Sequence, residues 1–383
     1  MKETKCLLVM ITFVFMLFAF ASLFLLDIAK EQSNVTDERN VRALPWPTHA
    51  EYKGNKTTWI LSWRRPWGYE FKGHDEGHAT GSCKFTYDRS KLKQSKAVLF
   101  HYTSLDEEEM PWTHYRSPSQ IFVFWFHDNP SYVRNGETRH PNRFDGGFIN
   151  WTMSYLQESD VFMPYLEPKV AQNIFNRKQD DVNMFISKKT RIALWVVNDC
   201  DLFRGSKLRM KYANALVEAG LSLDRYGWCF NNKQAYKKLS DEVLLSYKFY
   251  LAFEVAEKCR DYVTGEFWKN GIEMGRVPVV WGPRKKDLDY LVPPGSYIHT
   301  EDFESPAKLV EYLLYLDKND EAYREYFNWV RNPGTEVERL KKLYQQTWQE
   351  RLCEKLLSNQ PAKAEKFISY IQYGKDWGTC IDV

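Results

Sequence analysis

The chain has 383 residues, which is enough for two domains that each bury a hydrophobic core. Its 53 basic and 50 acidic residues are interspersed and give a formal net charge of +3, so the charge does not indicate a nucleic-acid partner and none is predicted. Aromatic residues make up 16% of the sequence, a content that suits a carbohydrate-binding surface as well as a large core.

The first predicted element is a membrane helix in the uncharged, apolar run of residues 6–26. A helix of this length spans a bilayer core of about 30 Å. Lys2 and Lys5 precede the run and favour a cytoplasmic N-terminus. The run is also longer than the apolar region of a cleaved signal peptide, which is about 7–15 residues. Residues 1–28 are therefore predicted to be a cytoplasmic tip and a retained signal-anchor helix.

Residues 29–57 are polar, contain two prolines and are predicted to be a stem, which places the rest of the chain in the lumen. Three Asn-x-Thr sequons agree with this location, and their acceptors are Asn34, Asn55 and Asn150. The six cysteines after the anchor form an even set that predicts up to three disulfides in an oxidising compartment, with the pairing left open. The candidates are Cys83, Cys200, Cys229, Cys259, Cys353 and Cys380.

Short apolar runs of strand length mark the start of the globular part. They predict a first α/β domain over residues 58–187, with strands at residues 58–63, 97–100 and 121–126.

Residues 188–352 alternate strand and helix patterns, which is typical of a parallel sheet and predicts a second α/β domain. Ser206, Thr264 and Ser305 are predicted helix N-caps. The predicted strands are residues 191–197, 223–226, 248–253 and 277–281. Residues 335–357 form a long helical pattern expected to pack back across the domains, and residues 353–383 are predicted to be the C-terminal helix and tail.

Four motifs resemble those of one enzyme family. Residues 247–254 read YKFYLAFE, residues 261–268 read DYVTGEFW and residues 277–282 read VPVVWG. Residues 144–165 read FDGGFINWTMSYLQESDVFMPY. Together they resemble the donor-binding core and the acceptor-domain signature of the α1,3/4-fucosyltransferases, glycosyltransferase family 10. The resemblance covers about residues 58–352 and implies the GT-B fold, in which two Rossmann-like domains face a cleft.

The resemblance also implies a function. It suggests an inverting α1,3-fucosyltransferase that moves fucose from GDP-fucose to an N-acetylglucosamine-containing glycan on a glycoprotein or glycolipid. It implies a single-pass type II protein of the Golgi membrane with its catalytic part in the lumen, no bound cofactor and no obligatory metal. The alternative is a catalytically weak or inactive family member that binds glycans or a partner protein.

The donor candidates follow from the same resemblance. Arg209 lies in the segment KLRMKY, which is similar to the family's phosphate-contacting segment, and arginine donates in pairs to phosphate oxygens. Thr264 is a second candidate because a helix N-terminus presents free N–H groups to an anion. The other nucleotide-binding candidates are Tyr226, Glu254, Tyr262 and Lys269.

Four polar residues of the family's donor motifs are replaced in this sequence. Val255-Ala256 stands for the family's Asn-Ser, and Gly265-Glu266 stands for its Glu-Lys. A carboxylate at Glu266, in place of a phosphate-binding lysine, is expected to oppose GDP binding. Lys269 follows three residues later, so its side chain can lean back toward the same place.

The general base is expected just after the strand at residues 121–126, where the family commonly has a glutamate before a proline. This sequence has His127-Asp128-Asn129-Pro130. Asp128 lies one residue from the family position, and His127 has an ordinary pKa near neutral. Three alternatives stay open: Asp128 as the base, His127 as the base, or no competent base.

Asp199-Cys200-Asp201 has the spacing of a metal motif found in the other large glycosyltransferase fold. A three-residue pattern is weak evidence, and the family equivalent, Ser-Asn-Cys, binds no metal. No metal site is predicted here, and Cys200 is instead a disulfide candidate for which Cys229 is one partner.

Overall fold

The computed structural model describes residues 57–66, 75–104, 117, 119–129, 149–256 and 258–358, all within one compact unit. The apolar run of residues 6–26, the sequons at Asn34 and Asn55, and Cys380 lie outside these residues. In the part of the chain that the structure describes, no helix is long and apolar enough to cross a membrane. The anchor and the stem therefore stay predictions.

The first sheet has seven strands in the described residues, in the order β2-β3-β1-β4-β5-β6-β7. The strands β2 and β3 pair antiparallel, and all other neighbours are parallel. Their bounds are β1 Thr58–Ser62, β2 Ala79–Thr80, β3 Cys83–Thr86, β4 Ser95–His101, β5 Ile121–Trp125, β6 Trp151–Ser154 and β7 Val161–Phe162. The predicted strands β1, β4 and β5 are confirmed; β3, β6 and β7 are too short or too polar to stand out in the sequence.

The two faces of β5 bury different cores, because successive side chains of a strand point in opposite directions. Phe124 packs in a core cluster that also contains Tyr262, from the second half of the chain. Trp125 points the other way and packs in a cluster with Trp348. All five residues of β5 are buried, as expected for the centre of a parallel sheet. The second half of the chain therefore packs against the face of the first sheet that carries Phe124.

The second sheet has five strands among the described residues, all parallel, in the order β12-β11-β10-β8-β9. Their bounds are β8 Arg191–Val196, β9 Leu223–Tyr226, β10 Tyr247–Phe253, β11 Val277–Trp281 and β12 Ile298–His299. Large apolar clusters cover both faces of β10, whose residues are all buried. The predicted parallel sheet is confirmed, and β10 is its central strand.

Helices and helical turns connect the strands. The α-helices are α1 Pro168–Phe175, α2 Gln179–Ser187, α3 Arg204–Glu218, α4 Lys233–Tyr236, α5 Asp241–Leu245, α6 Gly265–Phe267, α7 Lys285–Leu288, α8 Pro306–Lys318, α9 Asp320–Arg324, α10 Asn328–Arg331, α11 Thr335–Leu343 and α12 Trp348–Leu357. The helix α6 continues as a π-helix, Trp268–Glu273. Short 3-10 turns are Arg89–Gln94, Tyr102–Ser104, Trp228–Phe230, Thr300–Asp302 and Glu325–Phe327.

The predicted N-caps differ in outcome. The Thr264 and Ser305 side chains each accept a hydrogen bond from a backbone N–H of the first turn, so these caps are confirmed. The Ser206 prediction is wrong, because α3 already begins at Arg204 and buries Ser206 within its first turn. This early start depends on Gly205: a Cβ there would lie only 2.3 Å from the Val255 carbonyl oxygen.

The C-terminal helical pattern is two helices, α11 and α12, rather than one. Thr347 and Glu350 form a capping box that starts α12. This helix returns to the first sheet, where the Trp348 ring lies 5.5 Å from the Trp125 ring. Disulfides join Cys83 to Cys353 in α12 and Cys200 to Cys229 beyond β8 and β9, and Cys259 is also disulfide-bonded. The expectation that this segment packs back across the molecule is confirmed.

Asn150 is placed as a structural residue. It is only 7% exposed, and its side-chain oxygen accepts a hydrogen bond of 2.8 Å from the Phe122 N–H. The Asn150 N–H in turn donates to the Phe122 carbonyl. A glycan needs an exposed acceptor, so this burial argues against the glycan that the sequon predicts at Asn150.

Candidate active site

Two segments, one from each sheet, meet at the candidate site. Residues 127–129 follow β5, and residues 254–264 follow β10. Each segment leaves its sheet at the carboxyl end of a parallel strand, the edge at which α/β proteins bind ligands. The Asn129 side chain contacts the Tyr262 hydroxyl, so the two segments touch directly. The first sheet thereby presents residues to the nucleotide-binding candidates of the second.

The Asp128 carboxylate is half-buried and accepts a hydrogen bond from the Tyr102 hydroxyl. Burial raises the pKa of Asp128 above its ordinary value, and the bond from Tyr102 acts in the opposite direction. The other carboxylate oxygen, Oδ1, accepts no hydrogen bond from any residue that the structure describes. Asp128 therefore offers one oxygen to a ligand.

His127 is poorly suited to act as the base. Its ring stacks on the Tyr165 ring at a centroid distance of 3.9 Å, and its carbonyl accepts a hydrogen bond from the Tyr165 hydroxyl. Its Nε2 is buried and has no partner within the described ranges. Burial lowers the pKa of His127 to about 4, so the ring is neutral and weakly basic near neutral pH. The structure favours Asp128 over His127.

A cluster of three tyrosines lies between the two segments. The Tyr262 ring is 5.0 Å from the Tyr155 ring and 5.6 Å from the Tyr165 ring, both edge to face. The Tyr165 and Tyr262 hydroxyl oxygens lie 3.4 Å apart. Burial raises the pKa of all three tyrosines, so their hydroxyls stay neutral. These ring contacts hold the Tyr262 side chain in one position at the site.

The hydrogen-bond donors of Thr264 are paired with the side chain of Glu254, a residue that is 4% exposed. The Thr264 N–H and hydroxyl both donate to the Glu254 carboxylate at 2.9 Å. The Glu266 N–H donates to the Thr264 hydroxyl oxygen at 3.2 Å. Burial, together with the charge of Glu266, raises the pKa of Glu254 to about 8 against the effects of Thr264 and Arg209. The turn thus presents fewer free N–H groups than the sequence pattern suggests.

Arg209 is buried at the carboxyl edge of the second sheet, with 4% exposure. Its guanidinium donates to the Phe253 carbonyl at 2.7 Å and to the Asp199 carbonyl at 2.8 Å. Its Nε has no partner in the part of the chain that is described. The positive charge of Arg209 lowers the pKa of both Glu254 and Glu266. Arg209 therefore stays the candidate phosphate ligand. The carboxyls of Glu254 and Glu266 lie within range of its charge.

Glu266 does not extend into the cleft, in contrast to the expectation from the charge reversal. Its carboxylate accepts hydrogen bonds from the Tyr250 hydroxyl at 2.5 Å and from Asn270 Nδ2 at 3.2 Å. These partners turn the side chain toward β10, and burial raises its pKa. Lys269 is exposed on the face of the helix that carries Gly265, whose added Cβ would lie 4.0 Å from the Lys269 Cβ.

Tyr226 ends β9, which lies two strands away from β10 in the second sheet. Its ring packs on the Tyr236 ring at 5.8 Å, and its carbonyl accepts the Val197 N–H. The disulfide Cys200–Cys229 joins the loops that follow β8 and β9 on this side of the sheet. Arg209, Glu254, Tyr262 and Thr264 are therefore brought together, whereas no contact links Tyr226 or Lys269 to them among the described residues.

The sequence reasoning missed the partners of these residues. Tyr102 and Asn129 contact Asp128 and Tyr262 respectively, and Tyr250 holds Glu266. One signal was available: Tyr102 lies two residues after the strand predicted at residues 97–100, and the carboxyl ends of adjacent parallel strands meet at one edge.

Two parallel α/β sheets whose carboxyl edges meet at one site define a GT-B-like fold. The family model described as glycosyltransferase family 10 (fucosyltransferase), C-terminal part, matches residues 186–373, and the model of the fucosyltransferase N-terminal part matches residues 55–166. The chain belongs to glycosyltransferase family 10, the fucosyltransferases.

Individual relatives agree with this assignment. The chain is 35% identical over 255 residues to the 3-galactosyl-N-acetylglucosaminide 4-alpha-L-fucosyltransferase of Bos taurus, a match covering 65% of this chain and 64% of the relative. It is 32% identical over 296 residues to the 4-galactosyl-N-acetylglucosaminide 3-alpha-L-fucosyltransferase of Pongo pygmaeus, covering 74% and 76%. It is 30% identical over 286 residues to the glycoprotein 3-alpha-L-fucosyltransferase A of Drosophila melanogaster, covering 72% and 52%. The match thus spans less than two thirds of the Bos taurus relative.

A solved structure has the same fold. The crystal structure of an alpha1,3-fucosyltransferase with GDP-fucose superposes with a TM-score of 0.51 at 14% identity, covering 82% of this chain and 94% of that chain. At this identity the similarity shows the fold alone. The predicted mixed α/β fold with parallel sheets is confirmed, and the N-terminal membrane helix stays a prediction.

Proposed function

We propose that this protein is an inverting α1,3-fucosyltransferase that moves fucose from GDP-fucose to an N-acetylglucosamine-containing glycan of a glycoprotein. Membership of the fucosyltransferase family supports the reaction class. The observation that carries the proposal is the contact between Asn129 and Tyr262, because it places a half-buried carboxylate of the first sheet beside the nucleotide-binding candidates of the second.

In the proposed reaction Asp128 takes the proton from the attacking acceptor hydroxyl. Its Oδ1 is the oxygen available for this role, since Oδ2 accepts the bond from Tyr102. A positioned base of this kind contributes about 10²–10⁴ in rate. Arg209 stabilises the negative charge that develops on the departing diphosphate. The acceptor oxygen bonds to C1 of fucose on the face opposite the breaking C1–O bond to the diphosphate, so GDP leaves and the configuration at C1 is inverted.

We also propose a Golgi location, with the chain crossing the membrane once and its globular part in the lumen. The apolar run of residues 6–26 after Lys2 and Lys5 supports this topology. The disulfides Cys83–Cys353 and Cys200–Cys229 suit an oxidising compartment. Protease added to sealed microsomes should spare the globular part, and digestion of the whole chain would contradict the proposal.

A second candidate is a weak or inactive family member that binds glycans or a partner protein. One observation favours it: the buried Glu254 carboxyl lies near Arg209 and competes with a diphosphate for that cation. The Thr264 donors are also engaged. This arrangement would weaken GDP binding without disturbing the fold.

Two measurements on the full-length, detergent-solubilised protein separate the candidates. Calorimetric titration with GDP and GDP-fucose should give a micromolar Kd if the protein is a transferase. Labelled fucose should move to N-acetyllactosamine, with the new linkage assigned by NMR. A well-folded protein that binds neither nucleotide and transfers no fucose to any common N-glycan acceptor would support the second candidate instead.

A further inference from the structure

We propose that Tyr102 is a positioning residue for the general base: its hydroxyl holds Oδ2 of Asp128 and leaves Oδ1 directed to the acceptor hydroxyl. The inference rests on the proposed fucosyl transfer and on Asp128 as its base. It concerns a residue outside all the sequence motifs considered above.

Register brings Tyr102 and Asp128 together. The strands β4 and β5 pair in parallel, with His101 opposite Trp125. The two strands therefore end at the same level, and Tyr102 begins a 3-10 turn as the chain leaves β4. Asp128 leaves the sheet beside it, in the loop after β5. Their hydrogen bond joins residues that are 26 positions apart in sequence.

The Tyr102 side chain is rigid as well as close. It is 3% exposed and belongs to the apolar cluster between the first sheet and the second half of the chain. Its ring lies 4.6 Å from the His101 ring. A donor that is already immobilised by packing orients a carboxylate without further loss of side-chain freedom. Tyr102 therefore fixes the Asp128 rotamer before an acceptor arrives.

Among the residues that the structure describes, no cation competes with Tyr102 for Asp128. Its charge acts on Tyr155, Tyr165 and Tyr262, whose burial keeps them neutral. The neighbouring His127 is neutral near pH 7 for the same reason. In the described ranges, the titratable groups that face Asp128 are thus Tyr102, His127, Tyr155, Tyr165 and Tyr262, with Glu254 acting on Tyr262.

It follows that Tyr102 favours the ionised form of Asp128 against the effect of burial. Removing the hydroxyl should raise the pKa of Asp128 and release its orientation. A structural role in packing would leave this titration unchanged, because phenylalanine fills the same space. The pH dependence is therefore the property that separates positioning from packing.

The test compares Tyr102→Phe with wild type in the full-length protein. In the pH profile of kcat, measured at saturating GDP-fucose, the acidic limb should move up by about one pH unit, with up to about a tenfold loss of kcat on that limb that recovers at high pH. The Kd for GDP should stay within about twofold, because the Tyr102 hydroxyl bonds Asp128 and the Phe ring keeps the packing of the tyrosine. Tyr312→Phe, on α8, is the matched control: it removes a hydroxyl that lies 2.8 Å from the Tyr326 hydroxyl, and its profile should equal that of wild type.

A second readout does not depend on activity. The Asp128 carboxyl is followed by isotope-edited infrared titration and identified by its loss in Asp128→Asn. Its midpoint should rise in Tyr102→Phe, and an unchanged midpoint, or an equal loss of kcat at every pH, would overturn the inference. If wild type transfers no fucose, the proposed function fails, and Tyr102 loses its role in the reaction whether or not the midpoint shifts.

Discussion

The Glu254 carboxylate accepts hydrogen bonds from both the N–H and the hydroxyl of Thr264, each at 2.9 Å. An acid of the protein itself therefore occupies donors that a helix N-terminus could offer to a phosphate. The nearby charge of Arg209 partly balances it. In the proposed donor site, a diphosphate would therefore compete with the Glu254 carboxyl for Arg209 and for the donors of the Thr264 turn.

Glu254 should make the stability of the protein depend on pH. Its folded pKa of about 8 exceeds the ordinary value of 4.5, so between these values the folded state holds a proton that the unfolded state has lost. The free energy of unfolding should therefore fall as pH rises through this window, by about 2–4 kcal/mol from this group. The variant Glu254→Gln should lack this slope when denaturant midpoints are measured from pH 5 to 8.5.

His127 contributes a slope of opposite sign. Its folded pKa of about 4 lies below 6.5, so its contribution to stability is lost as pH falls from 6.5 toward 4. The difference between Glu254→Gln and wild type isolates the Glu254 part. Glu336→Gln, which alters an exposed ion pair with Arg339, is the control and should run parallel to wild type. Parallel curves for Glu254→Gln as well would show that Glu254 titrates normally.

Glu266 should matter more for stability than for GDP binding. Glu266→Ala removes the carboxylate that accepts from the Tyr250 hydroxyl and from Asn270, which should cost about 1–3 kcal/mol of unfolding free energy. Glu266→Gln keeps an acceptor and should change the Kd for GDP less than about threefold, because its side chain faces β10. Calorimetry and denaturation check the two effects. A tenfold gain in GDP affinity in Glu266→Gln would mean that the carboxylate faces the diphosphate after all.

Asp128→Asn should abolish fucosyl transfer while leaving GDP binding nearly unchanged. The loss in kcat should be about 10²–10⁴, as for removal of a positioned base. The Kd for GDP should stay within about twofold, since the base contacts the acceptor. His127→Gln is the comparison variant, and it should retain an ordinary pH profile. Transfer at the wild-type level by Asp128→Asn would exclude Asp128 as the base and reopen the case for His127.

Arg209→Ala should weaken both GDP binding and transfer, because the diphosphate is bound before the reaction and stabilised during it. We expect about a 10²-fold loss in kcat/KM. The variant also leaves the Phe253 and Asp199 carbonyls without this donor, so a melting curve must accompany the kinetics. Lys207→Ala is the matched control, because Lys207 is exposed and lies two residues before Arg209 in α3. A folded Arg209→Ala with normal GDP affinity would remove Arg209 from the donor site.

Local sequence patterns predicted much of the fold. The apolar runs at β5 and β10 are strands, and Thr264 and Ser305 cap helices, because these preferences depend on neighbouring residues alone. The cap predicted at Ser206 failed because the start of α3 depends on the close approach of Gly205 to Val255, a contact that no local pattern contains. The break between α11 and α12 was also missed.

The sequence by itself determined the family, the two parallel sheets and the residues Arg209, Glu254, Tyr262 and Thr264 as donor candidates, since motif identity and hydrophobic periodicity are properties of the chain in one dimension. Only the tertiary structure decided how their side chains are used. In the folded chain, Glu266 accepts a hydrogen bond from Tyr250, Glu254 accepts one from Thr264, and Asp128 accepts one from Tyr102. These outcomes depend on strand register and on which buried polar groups find partners, and both are fixed only when distant segments pack together.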